Sequence, residues 1–216
     1  MFILGFSISK RYPFVHLGNW HIDGRNTIRM KWKFGNRHNK IVVRGHNNII
    51  ESIGKVYEST FRVIGDNNKI NILHNCKILD SSFVIIGNQC NITFQEKSTC
   101  GHGCWFVVMG NGHHISIGQD TMISDDVDIW ASDSHAIFKD GNEADVINLS
   151  GDIDIGAHVW IGKKSVVLKN VRINENAIVG IASVVTKDVP ANCIVVGNPA
   201  HVVNVGINWE RSHIKV

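Results

Sequence analysis

Residues 155–185 read IGAHVWIGKKSVVLKNVRINENAIVGIASVV, and this stretch repeats every six residues. An aliphatic residue heads each repeat, and a small or β-branched residue follows four places later. An α-helix would place apolar residues three and four apart, and a half-buried strand would alternate every two. A sustained period of six instead predicts a triangular solenoid, in which each repeat is one short strand and three repeats close a turn. The aliphatic positions are Ile155, Ile161, Val167, Ile173, Val179 and Val185, and the small positions are Val159, Ser165, Val171, Ala177 and Ser183.

The repeat continues upstream, where Ile117, Ile123 and Ile129 keep the spacing of six. Several aliphatic positions are followed by glycine, which we expect to relieve crowding and to permit positive φ at tight corners. Before residue 110 the repeat is looser, and segments of glycine and asparagine recur at longer spacings. Asparagine tolerates the left-handed backbone, so these segments predict longer corners in a continuing solenoid. The glycines are Gly118, Gly156, Gly162 and Gly180, and the looser segments begin at Gly45, Gly65, Gly87 and Gly110.

The length of 216 residues predicts one domain, and we assign the solenoid to residues 1–204 and a short tail to residues 205–216. The formal net charge of +3 is too small to indicate a nucleic-acid-binding protein. The chain has no run of about 18 apolar residues, so we expect no transmembrane segment. Residues 1–8 are apolar but lack a basic start and a small-residue cleavage site, so we expect a first strand or a subunit contact, not a signal peptide.

Five cysteines are scattered along the chain without a paired spacing. Free thiols suit a reducing compartment, so we expect a cytoplasmic protein. Cys100 and Cys104 flank His102, but a tetrahedral zinc site needs four ligands and the sequence offers no second close pair. We therefore expect no metal here and place the cysteines inside the solenoid or at its corners.

One segment, at about residues 131–152, breaks the period with many polar residues, so a loop must leave the solenoid there. Long loops on rigid scaffolds often carry function. Near its start lie Asp133 and His135, and histidine titrates near neutrality and can take a proton from a hydroxyl. A carboxylate can orient such a histidine, and Asp133, Glu143 or a backbone carbonyl could do so here.

Four motifs together resemble the left-handed β-helix acetyltransferases, the hexapeptide-repeat group that contains galactoside, maltose, nodulation-factor and serine acetyltransferases. The motifs cover about residues 110–204, and the long N-terminal coils argue against a serine acetyltransferase. The loop, Asn148 and the tail residues 207–211 look most like bacterial capsule and polysialic-acid O-acetyltransferases. The motifs are Asp133-Ser-His135, Ile155-Gly-Ala-His-Val-Trp-Ile-Gly162, Val179-Gly-Ile-Ala-Ser-Val-Val-Thr-Lys-Asp-Val-Pro190 and Val196-Gly-Asn-Pro-Ala200.

The resemblance implies an all-β left-handed parallel β-helix that transfers acetyl from acetyl-CoA to a sugar hydroxyl. His135 matches the general base, and Trp160 matches a tryptophan beside the thioester whose indole N–H could stabilise the oxyanion. Thr186 and Lys187 match residues near the nucleotide end of the coenzyme, where a cation meets phosphates. Two positions depart from the family's pattern: Lys163 follows the Trp-Ile-Gly motif, and Ile181 stands in place of a smaller residue in the groove. The positions that match the pantetheine groove are Gly162, Ile181, Ala182 and Ser183.

The resemblance also implies a homotrimer with sites between neighbouring subunits and a capsule or surface polysaccharide as the acceptor. Alternatives remain open: an acetyltransferase for a small sugar or other small acceptor, or a non-catalytic sugar-binding solenoid. A zinc hydrase can use the same solenoid, but it would need three converging histidines. The histidines available are His113, His114, His135 and His158, and the basic residues that suit an acidic acceptor are Arg37, Lys40, Arg44 and Arg62.

Overall fold

The computed structural model describes residues 5–9, 14–17, 19–31 and 38–212, and within these residues every regular element is a β-strand. No described segment forms an apolar helix that could span a bilayer. In chain order the strands are β1 Gly5–Ser9, β2 Phe14–Leu17, β3 Trp20–Asp23, β4 Thr27–Lys31, β5 Lys40–Arg44, β6 Ile49–Ser52, β7 Lys55–Tyr57, β8 Thr60–Ile64, β9 Lys69–Ile72, β10 Lys77–Leu79, β11 Ser82–Asn88, β12 Asn91–Phe94, β13 Thr99–Cys100, β14 Trp105–Asn111, β15 His114–Ile117, β16 Met122–Ile123, β17 Asp128–Trp130, β18 Phe138–Lys139, β19 Asn142–Val146, β20 Ile153–Ile155, β21 Trp160–Ile161, β22 Val166–Leu168, β23 Val171–Ile173, β24 Ile178–Val179, β25 Val184–Val185, β26 Cys193–Gly197 and β27 Ala200–Val205.

The strands form three sheets, which are the faces of a triangular solenoid. From β5 to β17 the chain visits face 3, face 1 and face 2 in turn, and neighbouring coils pair in parallel. Antiparallel pairs occur only at the ends of the described coils and in the hairpin β18–β19. Face 1 contains β1, β4, β6, β9, β12, β15, β20 and β23; face 2 contains β7, β10, β13, β16, β21, β24, β26 and β27; face 3 contains β2, β3, β5, β8, β11, β14, β17, β22 and β25.

The core confirms the period of six read from the sequence. All nine aliphatic positions from Ile117 to Val185 are at most 3% exposed, and they stack on their equivalents one coil away. The small positions are equally buried, because each turns inward at a corner where the next coil leaves little space. Four cysteines occupy the same corner positions and one, Cys100, is a core residue, so the predicted interior location is confirmed.

Phenylalanines take the place of aliphatic residues at four core positions before residue 110. Phe61, Phe83 and Phe106 lie opposite one another in β8, β11 and β14, with ring centroids 4.8 and 5.2 Å apart. Phe94 meets Phe83 and Phe106 edge-on from face 1. All four rings are fully buried. Such pairs contribute about 0.5–1.5 kcal/mol beyond area burial, so they give the looser repeat a firm core.

The four predicted corner glycines are required by close approach of the next coil, and the prediction of positive φ there was wrong. A Cβ on Gly118 would come within 2.3 Å of the Gly156 carbonyl carbon, and one on Gly162 within 2.7 Å of the Ile181 nitrogen. The left-handed conformation falls instead on the residue two places later, as at Asp120, His158 and Ala182, whose φ values are 58°, 54° and 55°. The glycine therefore makes room for the next coil, and a different residue, two places later, adopts the left-handed conformation of the turn.

Asparagines in the N-terminal coils form a ladder at the corner between faces 3 and 1. The Asn26 and Asn48 side chains each accept a bond from the backbone N–H of their equivalent one coil later, Asn48 and Asn68, at 2.9 and 3.0 Å. The Asn68 side chain in turn accepts from the backbone N–H of Cys90. This buried ladder satisfies corner amides and continues the solenoid with longer corners, as the sequence predicted. Arg37 lies outside the described residues.

Candidate active site

The candidate site begins with the loop that leaves the solenoid after β17 and returns at β20. It emerges at the corner between faces 3 and 1 and carries the hairpin β18–β19. The loop places apolar side chains in solvent, including Ile137 at 53% and Leu149 at 71% exposure. His135 is exposed near the start of this loop, where its imidazole is open to a substrate.

Asn148 holds the backbone around His135. Its amide nitrogen donates to the His135 carbonyl at 2.8 Å and to the Asp133 carboxylate at 2.9 Å. Its carbonyl oxygen accepts from the Ile137 N–H at 2.7 Å. A single side chain thus ties both ends of the loop together across the His135 segment.

Lys169 fastens this network to the next coil of the solenoid. Its ammonium donates to the Asp133 carboxylate at 2.5 Å and to the Asn148 carbonyl at 2.9 Å. The hydrogen bonds from Lys169 and Asn148 hold the pKa of Asp133 below its ordinary value. Asp133 therefore stays ionised at neutral pH and anchors the loop.

The sequence suggested the Asp133 carboxylate as a partner of the His135 imidazole, but the structure gives this carboxylate other partners. Its carboxylate bonds Lys169 and Asn148, and it meets His135 through the backbone, where the His135 N–H donates to the Asp133 carbonyl at 2.8 Å. The side chain of Glu143 lies outside the described residues. The group that orients the imidazole therefore stays a prediction.

Trp160 lies in β21 on the outer surface of face 2, away from the loop. Its register partners are Met122 in β16 and Ile178 in β24, and the residue is 37% exposed. Its ring lies 5.9 Å from that of Trp209, a residue of the tail motif to which the sequence assigned no role in the site. The indole is therefore accessible on one side and supported on another.

The predicted coenzyme residues divide into exposed and buried ones. Ile181, at 69% exposure, and Ala182 protrude at the corner between faces 2 and 3. Gly162 is buried under the next coil, and Ser183 is fully buried with its hydroxyl accepting from the Gly197 N–H at 3.1 Å. The next coil covers Gly162 and Ser183, and their contact with the coenzyme stays a prediction.

Thr186 and Lys187 lie at the last corner between faces 3 and 1. They line an open hollow of about 580 Å³ together with Asn198 and His201 of the terminal hairpin. Both residues are exposed. A cation and a hydroxyl beside a hollow of this size can bind a phosphate group.

The histidines needed for the zinc alternative do not converge. His113 and His114 pair with Asp152 on one side of the solenoid, and His158 pairs with Asp120 at another corner. Across the described ranges, no three His, Cys, Asp or Glu side chains are arranged to hold a metal ion.

Solved structures and sequence relatives agree on the class of this solenoid. No protein-family model matches the sequence. The structure of the polySia-specific acetyltransferase NeuO superposes with a TM-score of 0.70 at 30% identity, over 88% of this chain and 83% of that chain. The polysialic acid O-acetyltransferase OatWY superposes with a TM-score of 0.56 at 28% identity, over 82% and 79% of the two chains. The polysialic acid O-acetyltransferase of Escherichia coli O1:K1 / APEC is 35% identical over 143 residues, which are 66% of this chain but 45% of that relative.

The period, the loop and these superpositions define a hexapeptide-repeat solenoid of the acetyltransferase class, and the predicted left-handed parallel β-helix is confirmed. The chain belongs to the family of hexapeptide-repeat acetyltransferases that includes the polysialic acid O-acetyltransferases. It spans about half the length of the curated relatives it matches, with 45% and 58% of the first two covered.

Proposed function

We propose that the chain is an O-acetyltransferase that moves acetyl from acetyl-CoA to a sugar hydroxyl of a bacterial capsule or surface polysaccharide. The observation that carries this proposal is the exposed His135 on a loop that Asn148 and Lys169 fix to the solenoid. An anchored, solvent-facing imidazole is the group that a hydroxyl acceptor needs, and its motif matches the family's general base. The names of the relatives, polysialic acid O-acetyltransferases, support the same reaction.

In the proposed reaction His135 takes the proton of the acceptor hydroxyl while the hydroxyl oxygen attacks the thioester carbonyl. Trp160 donates its indole N–H to the oxyanion that forms. The carbon–sulfur bond then breaks, and the imidazolium returns the proton to the leaving thiolate. No protein nucleophile takes part, so the essential work is to hold two substrates beside one base.

For the coenzyme, we assign the pantetheine contacts to the exposed Ile181 and Ala182 and the phosphate contacts to Thr186 and Lys187. The exposure of Ile181 and the hollow beside Lys187 support this division. The buried, unpaired cysteines support a reducing cytoplasm as the place of reaction, where acetyl-CoA is available.

For the acceptor, we favour an anionic polymer over a small sugar. Lys40 and Arg44 in β5 and Arg62 in β8 lie on the outer surface of face 3, and Lys40 and Arg44 line a hollow of about 350 Å³. Within the described part of the chain none of the three forms an ion pair. Four strand spacings separate β5 from β17, which is about 19 Å, so a chain of several sugars could reach from these cations to the loop.

The test is acetyl transfer by the purified chain to a sialic-acid polymer, a neutral polysaccharide and a small sugar, followed as coenzyme A release and acetylated product. We expect transfer to a polysaccharide, and His135→Ala should lower turnover by about two to four orders of magnitude. His74→Ala, at an exposed histidine of a distant corner, is the matched control. Normal turnover by a folded His135→Ala variant would remove the assignment of the base.

We further propose a homotrimer in which His135 of one subunit meets Trp160 of its neighbour. The two residues lie on different sides of a packed solenoid, and the loop exposes apolar side chains that need cover. Co-expression of His135→Ala with Trp160→Ala tests this, since random mixing pairs an intact His135 with an intact Trp160 at about one quarter of the interfaces. Recovered activity supports a shared site, whereas two inactive variants that stay inactive together place the whole site within one subunit.

A further inference from the structure

The C-terminal segment 207–211 folds back along the corner between faces 1 and 2. The Ile207 N–H donates to the Asn192 carbonyl at 3.1 Å, and the Asn176 side chain donates to the Ile207 carbonyl at 2.8 Å. Arg211, at the other end, reaches the coils at Lys97 and Thr99. Five residues therefore cross several coils, and we name the segment 207–211 the strap.

Trp209 in the middle of the strap forms a reciprocal contact with His158. The two rings stack with centroids 4.2 Å apart and planes within 10°. The Trp209 indole donates to the His158 carbonyl at 2.8 Å, and the His158 ring donates to the Trp209 carbonyl at 2.9 Å. Trp209 is only 7% exposed, so the strap is packed against the solenoid at this residue.

The His158 ring is held on its other side by Asp120. Its second nitrogen lies 2.8 Å from the Asp120 carboxylate, and the Arg211 guanidinium donates to the other oxygen of that carboxylate at 2.8 Å. Burial tends to raise the pKa of Asp120, but the hydrogen bonds from His158 and Arg211 outweigh it and the pKa is lowered. Each nitrogen of the His158 ring therefore faces an oxygen atom, one from Asp120 and one from the Trp209 carbonyl.

Arg211 locks the end of the strap. It donates to the Thr99 hydroxyl at 2.9 Å and to the carbonyls of Asp120 and Thr121 at 2.8 and 3.0 Å. Its guanidinium also lies 6.0 Å from the centroid of the Trp209 ring. These bonds fix the end of the strap, so Trp209 is held in one position.

The strap holds Trp209 beside Trp160. The two indoles lie 5.9 Å apart at 44°, and Trp209 fills one side of the space in which the exposed Trp160 side chain could turn. An exposed tryptophan without such a neighbour would sample several rotamers. A fixed indole can donate its N–H to the developing oxyanion without first changing its rotamer. Such preorganisation accounts for most of the stabilisation that a hydrogen-bond donor gives to a transition state.

We propose that Trp209 is a positioning residue for the acyl-transfer reaction, which fixes the rotamer of Trp160, and that His158 and Arg211 secure it. The proposal rests on the function proposed above, in which Trp160 contacts the thioester. It adds the C-terminal strap to the site as a structural requirement for turnover.

The test compares Trp209→Ala and Trp209→Phe with the wild-type chain, and uses Asn91→Ala, at an exposed asparagine of face 1, as the control. All proteins carry 5-fluorotryptophan, and the Trp160 resonance is identified as the one lost in Trp160→Phe. We expect Trp209→Ala to shift or broaden that resonance and to lower kcat about 10- to 100-fold, with a smaller change in the KM for acetyl-CoA. Trp209→Phe should restore part of both, and Asn91→Ala should change neither.

An unchanged Trp160 resonance in Trp209→Ala would overturn the proposal, as would a shifted resonance with normal kcat. Failure of the proposed function gives a different pattern. In that case Trp160→Ala itself turns over normally or no acceptor is acetylated, while the resonance still reports whether Trp209 fixes Trp160.

Discussion

Asn148 gives the sharpest prediction, because one side chain makes three hydrogen bonds around the proposed base. Asn148→Ala removes the bonds to the Asp133 carboxylate, the His135 carbonyl and the Ile137 N–H. These groups are solvent-accessible, so each bond contributes near the lower end of the usual range, about 0.5 kcal/mol. Their sum of about 1.5 kcal/mol should lower the equilibrium constant between the ordered and the open loop about tenfold.

The assay is steady-state acetyl transfer with saturating acetyl-CoA, together with thermal unfolding of the same samples. We expect kcat to fall about tenfold and the melting temperature to stay nearly constant, since the affected bonds lie outside the solenoid core. Asn91→Ala, at an exposed asparagine of β12, two strands from β20 and outside the hydrogen bonds of Asn148, is the matched control. Unchanged turnover in Asn148→Ala would refute the inference that this network positions His135. A drop in melting temperature that accounts for the lost activity would refute it as well.

Three further predictions test other parts of the site. Trp160→Ala should weaken the use of acetyl-CoA while leaving the melting temperature and the oligomer nearly unchanged; a variant that unfolds or dissociates with normal coenzyme kinetics would show a packing role. The KM for a sialic-acid polymer should rise with salt while that for a neutral oligosaccharide should not, and a salt-independent KM would remove the anionic acceptor. Because Lys169 holds the pKa of Asp133 below its ordinary 3.8, the pair stabilises the loop at neutral pH and this contribution is lost only as pH falls through the lowered value. Loop proteolysis should therefore increase below pH 3.8 in the wild type, and Asp133→Asn should abolish that increase and raise cleavage at neutral pH.

The period of six made the core predictable because the same local constraint recurs in every coil. Any residue at an aliphatic position meets its equivalent one strand away, so burial follows from spacing alone. The corners were harder, since two constraints act there on different residues. Gly118 is required by the coil that follows it, and Asp120 carries the turn, and sequence spacing does not separate these roles.

The site was predicted less completely for a physical reason. The motifs identified His135 and Trp160, and both residues are exposed in the structure. A motif contains no information on burial, however, and Ser183 is covered by the turn at Gly197. The supporting contacts join residues far apart in sequence. Lys169 meets Asp133 across 36 positions, and Trp209 meets His158 across 51. No local pattern marks such pairs, and the tail motif 207–211 supported the family resemblance without indicating that Trp209 contacts His158.

The solenoid and the parts that depart from it should respond differently to mutation, and this difference follows from how each is held. A coil is bonded to a coil above and a coil below, so a shift of one strand would break two registers at once. The loop and the strap have no register, and they acquire fixed positions only through side chains such as Lys169 and Arg211 that bind two coils. Substitution of a core residue such as Phe83 should therefore lower the melting temperature and the turnover together, whereas loss of Asn148 or Trp209 should lower turnover alone. The ratio of the two effects distinguishes residues that build the scaffold from residues that position the chemistry on it.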